Sequence, residues 1–187
     1  MDENQQPLVS IIVLNYNAKN LLVNCIDSIF KSNYRNFEVI LVDNNSDDNS
    51  FEICKNNHPE INLILNKTNL GYCGGNNAGI KHAKGKFIII LNPDTLVEPN
   101  WINEFLKAYD KFGDAIYQPK FISSDNHEMI LSTGQMINLF GFGFSRDKGS
   151  LLKNKKYQME KIDYASGTCM FLPSTIIKKI NYFDNFL

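Results

Sequence analysis

The order of apolar and polar positions sets two rhythms in the first part of this chain. Residues 9–14 form an apolar run that ends at Asn15-Tyr16-Asn17, and a run apolar on both faces suits a buried parallel strand. Leu21, Leu22, Cys25, Ile26, Ile29 and Phe30 then recur at helical spacing, which predicts an amphipathic helix over about residues 18–32, with Asn17 placed to cap it. Residues 37–42 predict a second buried strand ending at Asp43, residues 44–49 a polar turn, and residues 50–57 a short helix. Residues 61–65 read as a third strand. A glycine-rich loop over 69–77 precedes a helix reaching about Lys84, Gly85 breaks it, and residues 87–91 form a fourth strand ending at Asn92-Pro93-Asp94. A further helix over 100–112 carries Trp101, Phe105, Ala108 and Phe112 on one face, with Pro99 near its start.

Strands and helices in alternation predict an α/β fold with a mostly parallel central sheet and helices on both faces. In open sheets of this kind ligands bind beyond the carboxyl ends of the strands. Asn15, Tyr16 and Asn17 fall there after the first strand, Asp43 after the second, Asn92 and Asp94 after the fourth. The pattern changes near residue 114. Residues 115–122 and 129–132 read as shorter strands around a turn at 123–126. Residues 139–150 form a loop rich in Gly and Phe, expected to be mobile and to pack its aromatics on the sheet. Residues 153–161 are a lysine-heavy surface stretch, residues 164–172 an apolar strand-like run, and Pro173 with Ser174 opens a last short helix.

Composition narrows the function classes. The 187 residues carry 19 basic and 20 acidic side chains, a net charge of −1, so strong electrostatic capture of nucleic acid or of an anionic membrane is excluded. With 43% hydrophobic and 12% aromatic residues the chain is not of the disordered class. Cys25, Cys54, Cys73 and Cys169 lie far apart with no C-x-x-C pair, which argues against zinc sites and disulfide scaffolds and for reduced thiols in a cytoplasmic protein. Residues 1–7 are polar and acidic, unlike a signal peptide, and the longest apolar runs fall short of the ~20 residues that span a bilayer.

Four groups carry candidate chemistry. Asp43 is delivered by a buried strand to the sheet edge, where its carboxylate either accepts hydrogen bonds from a nucleobase or ribose or caps the following turn. Asn92-Pro93-Asp94 sets a carboxamide and a carboxylate two residues apart: either a ligand for a hard divalent cation, which needs few protein oxygens when a diphosphate supplies others, or a plain turn. The segment 71–79 fits neither G-x-G-x-x-G nor G-x-x-x-x-G-K-[ST], yet it lets backbone approach a ligand and opens a helix whose amides face an anion. Tyr16 either stacks on a flat base or is a half-buried aromatic at a strand end. His58, His82 and His127 lie scattered in polar segments, read as solvated, and form no triad with Ser or Cys.

Five segments, Val9-Ser10-Ile11-Ile12-Val13-Leu14-Asn15-Tyr16-Asn17, Val39-Ile40-Leu41-Val42-Asp43-Asn44-Asn45-Ser46-Asp47-Asp48, Asn69-Leu70-Gly71-Tyr72-Cys73-Gly74-Gly75-Asn76-Asn77-Ala78-Gly79, Leu91-Asn92-Pro93-Asp94-Thr95 and Ser166-Gly167-Thr168-Cys169-Met170, occur in one order and spacing. Together they resemble family 2 glycosyltransferases of the GT-A fold, Rossmann-like nucleotide-sugar-binding domains, and in particular the bacterial rhamnosyltransferase-like branch. The resemblance implies a single domain, with 1–113 as the nucleotide-binding half and 114–187 as a partial acceptor-side half. It implies a UDP-, dTDP- or GDP-linked sugar donor and a glycan or lipid-linked acceptor, as in cell-wall or polysaccharide biosynthesis. Leu14, Asn15, Tyr16, Asp43, Gly71, Asn76, Asn92 and Asp94 are the implied donor-site residues. Asn92 and Asp94 match the family's D-x-D, with Asn in place of the first Asp, and Asp94 as the ligand of Mg²⁺ or Mn²⁺. Hexosyl or rhamnosyl transfer with inversion is the implied reaction, and peripheral membrane association of the full-length protein and a homodimer are further expectations.

The family's base lies in an acidic motif just beyond a segment like Tyr182-Phe183-Asp184-Asn185-Phe186-Leu187. Asp184 matches the residue before that motif, so the base is expected beyond Leu187 and no catalytic residue is assigned within the chain. An apolar terminus of this kind leads to the expectation of a truncated chain whose donor half is complete and whose transfer is poor. The competing reading is a truncated or non-catalytic nucleotide-binding or interaction module. A dinucleotide oxidoreductase needs a glycine-rich turn after the first strand, which Asn15-Tyr16-Asn17-Ala18 lacks. A glycosidase pairing Asp43 with Asp94 is the third alternative.

Overall fold

The computed structural model describes residues 6–154 and 157–184. Its centre is a five-stranded sheet built from β1 (Val9–Asn15), β2 (Phe37–Asp43), β3 (Asn62–Leu65), β4 (Phe87–Leu91) and a late strand. Two short pairs lie between, β5 (Phe121–Ile122) with β6 (Ile130–Ser132) and β7 (Gln135–Ile137) with β8 (Gly143–Ser145), so the late strand is β9 (Cys169–Pro173). The sheet order is β3-β2-β1-β4-β9. The first four strands run parallel, and β9 pairs antiparallel with β4.

Helices cover both faces because the central strands are apolar on both faces. On one side Val9, Ile11 and Val13 of β1 meet Leu22, Cys25, Ile26 and Ile29 of α1 (Asn20–Phe30), Cys54 of α2 (Ser50–Asn57), and Ile102, Phe105 and Leu106 of α4 (Trp101–Phe112). On the other, Ile12, Ile40, Val42, Ile88 and Ile90 meet Ile80 of α3 (Gly71–Ile80) and Ile177 of α5 (Ser174–Lys179). Each such aliphatic side chain contributes about 1.5–3 kcal/mol on burial. β9 closes the sheet through Phe171, which stacks between Phe87 at 4.9 Å and Phe105 at 5.1 Å.

Several expected boundaries shift for local reasons. Asn17 does not cap α1: it sits at φ 52 and its Oδ1 accepts from the Asp47 amide at 2.8 Å, so α1 starts later, at Asn20. The glycine-rich segment is not a loop before a helix but the first turns of α3 itself. Gly75 and Gly79 face β1, where an added Cβ would lie 2.4 Å from Leu14 Cδ1 and 2.6 Å from Ile12 Cγ2, so the glycines let α3 sit close on the sheet. Only Phe121–Ile122 of the expected 115–122 strand pairs in a ladder, since Pro119 offers no amide, and Tyr117 bridges singly to Phe171. The expected loop at 139–150 contains half of the β7–β8 hairpin, and its aromatics do not pack on the sheet. His58 is also not merely solvated: its Nε2 meets Asp27 Oδ1 at 2.8 Å and its ring stacks on Phe30 at 4.1 Å. No helix among the described residues is long and apolar enough to cross a membrane.

Candidate functional site

Parallel register brings the ends of β1 and β2 side by side, with Asn15 opposite Asp43. Both side chains are buried, and Asn15 Nδ2 donates to Asp43 Oδ1 at 2.7 Å and reaches Ser50 Oγ at 3.0 Å and Ser46 Oγ at 3.1 Å. Asp43 Oδ2 accepts from the Ser46 amide at 2.9 Å. The carboxylate therefore does what a turn cap does, and it fixes the polar turn 44–49 over the strand ends. Leu14, one residue earlier, packs under α3 at Gly75. Tyr16, one residue later, is 53% exposed at the same edge, an aromatic face left open beside a rigid polar network.

Asn44 holds the next part of the edge together. Its Nδ2 donates to Asn69 Oδ1 at 3.0 Å and to the Gly71 carbonyl at 3.1 Å, while its Oδ1 accepts from Asn66 Nδ2 at 2.8 Å. These bonds set the start of α3 beside the end of β2, with Gly71 at φ 69 supplying the left-handed turn. Asn76 lies inside α3 and is fully buried. Its Nδ2 donates to the Tyr72 carbonyl at 2.9 Å, and its Oδ1 has no hydrogen-bond partner among the described residues. That burial gives Asn76 a packing position rather than a solvent-facing one. Tyr72 spans the cleft edge: its hydroxyl donates to the Gly167 carbonyl at 2.7 Å, and burial pushes its pKa up to about 12, so it stays a donor at any working pH.

The fourth strand end joins the same edge through the loop before β9. The Asn92 amide donates to the Thr168 carbonyl at 2.9 Å, and the Asn92 carbonyl accepts from Thr95 Oγ1 at 2.8 Å. Burial pushes the neighbouring Cys25 thiol up to about 12, with the negative charge of Asp94 adding to the rise, so it is an inert neutral group behind the turn. Asp94 itself is exposed, and its carboxylate makes no hydrogen bond or ion pair with the described residues. No three His, Cys, Asp or Glu side chains gather into a metal cluster among the described residues. A single open carboxylate nevertheless fits a hard cation that keeps its waters and takes phosphate oxygens.

Of the residues singled out from sequence, the structure joins Asn15 with Asp43 directly, and Leu14 and Gly71 to α3. Tyr16, Asn92 and Asp94 share the edge without touching that network. Sequence reasoning missed Asn44, Ser46 and Ser50, and left Tyr72 without a role. The signal was present in the polar string directly after Asp43, where Asx and Ser side chains offer the short reach that such clamps need. A cleft of about 900 Å³ lies elsewhere, between α4 and residues 115–120 and 157–162, and is lined by none of these residues.

The fold and this edge define an α/β domain with a polar edge at the ends of parallel strands, the place where open sheets of this kind take ligands. Residues 10–180 match the glycosyl transferase family 2 model, and the chain belongs to that family. It is 35% identical over 134 residues to glycosyltransferase GlyG of Streptococcus pneumoniae, covering 68% of this chain and 44% of that protein. It is 27% identical over 182 residues to the low-salt glycan biosynthesis hexosyltransferase Agl10 of Haloferax volcanii, covering 94% of this chain and 56% of that protein. The chain thus spans about half the length of these curated relatives. Among solved structures, the mannosyltransferase PcManGT of Pyrobaculum calidifontis in complex with GDP-Man and Mn²⁺ superposes with a TM-score of 0.69 at 17% identity, over 98% of this chain and 49% of the other. TarS 1-349 of S. aureus in complex with UDP superposes with a TM-score of 0.64 at 18% identity, over 96% of this chain and 51% of the other. The fold is that of the GT-A glycosyltransferases.

Proposed function

We propose that this chain is the donor-binding part of a cytoplasmic glycosyltransferase that moves a hexosyl or rhamnosyl group, with inversion, from a nucleoside-diphosphate sugar to a glycan or lipid-linked acceptor. The observation that carries the reading is the shared strand-end edge: a rigid Asn15–Asp43 network, an open Tyr16 ring, and an uncommitted Asp94 carboxylate two residues past Asn92. In this reading Tyr16 stacks on the base, and the Asn92 carboxamide hydrogen-bonds a ribose hydroxyl. The start of α3 lies beside the diphosphate with its first-turn amides, a placement that favours anions. Asp94 would hold Mg²⁺ or Mn²⁺, which when bound supplies positive charge to the departing diphosphate. Asp43 works indirectly, by holding the turn and Asn15 so that the crevice is formed before the ligand arrives. The chain's own residues thus orient the donor and exclude water around it; no side chain among the described residues is assigned as the base.

Calorimetry with UDP, GDP and dTDP, each with and without Mn²⁺, tests this. One of the three should bind, more tightly with Mn²⁺. Asp94→Ala should remove the Mn²⁺-dependent gain, at least about tenfold in Kd, while leaving the melting temperature unchanged, because the side chain is exposed and unpaired. No binding by any of the three would overturn the reading.

A further inference from the structure

One carboxamide in α3 reaches across 106 residues of sequence to hold a backbone. Asn77 Nδ2 donates to the Phe183 carbonyl at 2.9 Å, and the Phe183 amide donates to Asn77 Oδ1 at 3.0 Å. Asn77 is buried, so both bonds form largely away from water. Paired in this way, the carboxamide serves both backbone groups of residue 183 as a neighbouring strand would, and fixes its position and orientation together.

The turn that it holds is strained. Asn181 and Tyr182 follow α5 at φ 59 and φ 70. The left-handed region suits Asn at a helix end, but a bulky residue such as Tyr182 is an outlier there. Such a conformation persists only where its surroundings hold it. Here the Tyr182 amide donates to the Ile177 carbonyl at 3.0 Å on one side, and the two Asn77 bonds hold the next residue on the other.

Contacts then run from this turn to the strand-end edge. The centre of the Phe183 ring lies 6.5 Å from that of Tyr72, in the first turn of α3. The Tyr72 hydroxyl holds Gly167, and the adjoining Thr168 carbonyl takes the Asn92 amide. The start of α3 and the Asn92-Pro93-Asp94 turn are the places given above to the diphosphate and its cation. A sugar joined to that diphosphate begins one bond beyond it, so the segment packed against the first turn of α3 is what it meets next. Asp184 is exposed at the end of that segment, and a carboxylate accepts hydrogen bonds from sugar hydroxyls.

We propose that Asn77 is a positioning residue for the donor sugar: it locks the 181–184 turn against α3 as the wall that the sugar of a nucleoside-diphosphate sugar rests on. This assignment rests on the donor-binding reading and divides the donor between two elements. The strand-end edge takes the nucleotide, and the clamped turn takes the sugar. Asn77 itself touches no ligand.

Calorimetry of the full chain with Mn²⁺ tests this, with UDP, GDP and dTDP set against UDP-glucose, UDP-GlcNAc, GDP-mannose and dTDP-rhamnose. Asn77→Ala should leave the Kd of the bound diphosphate within about twofold and raise that of its sugar ester at least about tenfold. A purely structural role would weaken both alike. Because Asn77→Ala strips two bonds from a half-buried backbone, Asn181→Pro supplies a second variant. Proline cannot take φ 59, and the residue is exposed at the end of α5, so the turn is broken with α3 intact. The same split between diphosphate and ester is expected. Hydrogen exchange should rise across 181–184 in both variants and stay unchanged in β1. Three results would overturn the proposal and leave the donor-binding reading standing: equal loss for diphosphate and ester, an ester Kd unmoved in one variant or both, or a wild type that binds a diphosphate and none of its esters. A wild type that binds no diphosphate would take down both.

Discussion

β1 and the β7–β8 hairpin are both short extended segments, yet they spend their side chains in opposite ways. Six of the seven β1 residues are buried, whereas none of the three β8 residues is. The parallel strand has no tight turn to hold it, so it exists only because helices cover both of its faces. The hairpin is held by its own ladder and by the Asn138 turn, so its side chains need not contribute to folding. The same division runs through the polar groups. At the strand-end edge, Asn15, Asp43 and Ser50 are buried and joined through the Asn15 carboxamide, while at the base of the hairpin the partly buried Arg146 pairs with the exposed Glu160 and Lys153 with the exposed Glu128. Substitution at the sheet and its edge should therefore cost stability, and substitution at the tip should not.

The largest effect is expected at Asp43. Asp43→Ala removes the acceptor of Asn15 Nδ2 and of the Ser46 amide, both inside the protein, and should destabilise by about 3 kcal/mol in urea unfolding. Nucleotide binding should fall with it, since the turn over the crevice loses its anchor. Next comes Gly79→Leu, whose side chain would press on Ile12 and Val42, at 2.6 and 3.0 Å already from a bare Cβ. Overpacking of about 1–3 kcal/mol plus larger atoms beyond Cβ outweighs the helix-propensity gain of about 1 kcal/mol, so a net loss is expected. Phe142→Ser should stay within about 0.5 kcal/mol of the wild type. A loss at Phe142 matching that at Gly79 would break the contrast between the two regions.

How far each region was legible in the sequence follows from the same contrast. Ile11, Ile12, Val13 and their counterparts in β2 and β4 announce themselves, because burial on both faces leaves only apolar residues as solutions. The strand-end position of Asn15, Asp43 and Asn92 followed from that reading, since a strand's last residue is known once its apolar run is. What those side chains touch was not legible. Asn44 and Ser50 clamp the edge through contacts 22 to 35 residues away in sequence, and no local pattern encodes which acceptor lies there. The start of α3 was misread because glycines usually break helices, and the cause for keeping them, the approach of Leu14 and Ile12, is tertiary. Likewise the short β5–β8 strands carry two or three residues each, too few for a period to register.

The smallest effect sharpens the comparison by charge alone. Asp48 sits in the polar turn, with Oδ1 accepting from the Ser50 amide at 3.0 Å and from its hydroxyl at 2.6 Å, and Oδ2 accepting from the Lys19 amide at 2.8 Å. Partial burial pushes its pKa upward, but the bonds from Ser50 and Lys19, with the Lys19 charge, outweigh it and hold the carboxyl below its ordinary 3.8. A group depressed in the folded state binds its proton more readily in the unfolded chain. Its contribution to stability is therefore complete above 3.8 and drains away as pH falls through the lower folded value. Urea midpoints measured from pH 6 downward should show an acid limb that Asp48→Asn makes shallower, with a change smaller than those of Asp43→Ala and Gly79→Leu. Lys148→Glu, at an exposed position outside the polar turn, should leave the shape of that limb as it is. A flattened limb in Lys148→Glu and an unchanged one in Asp48→Asn would locate the acid sensitivity in the wrong region, and the division between a bonded edge and an independent hairpin would fail.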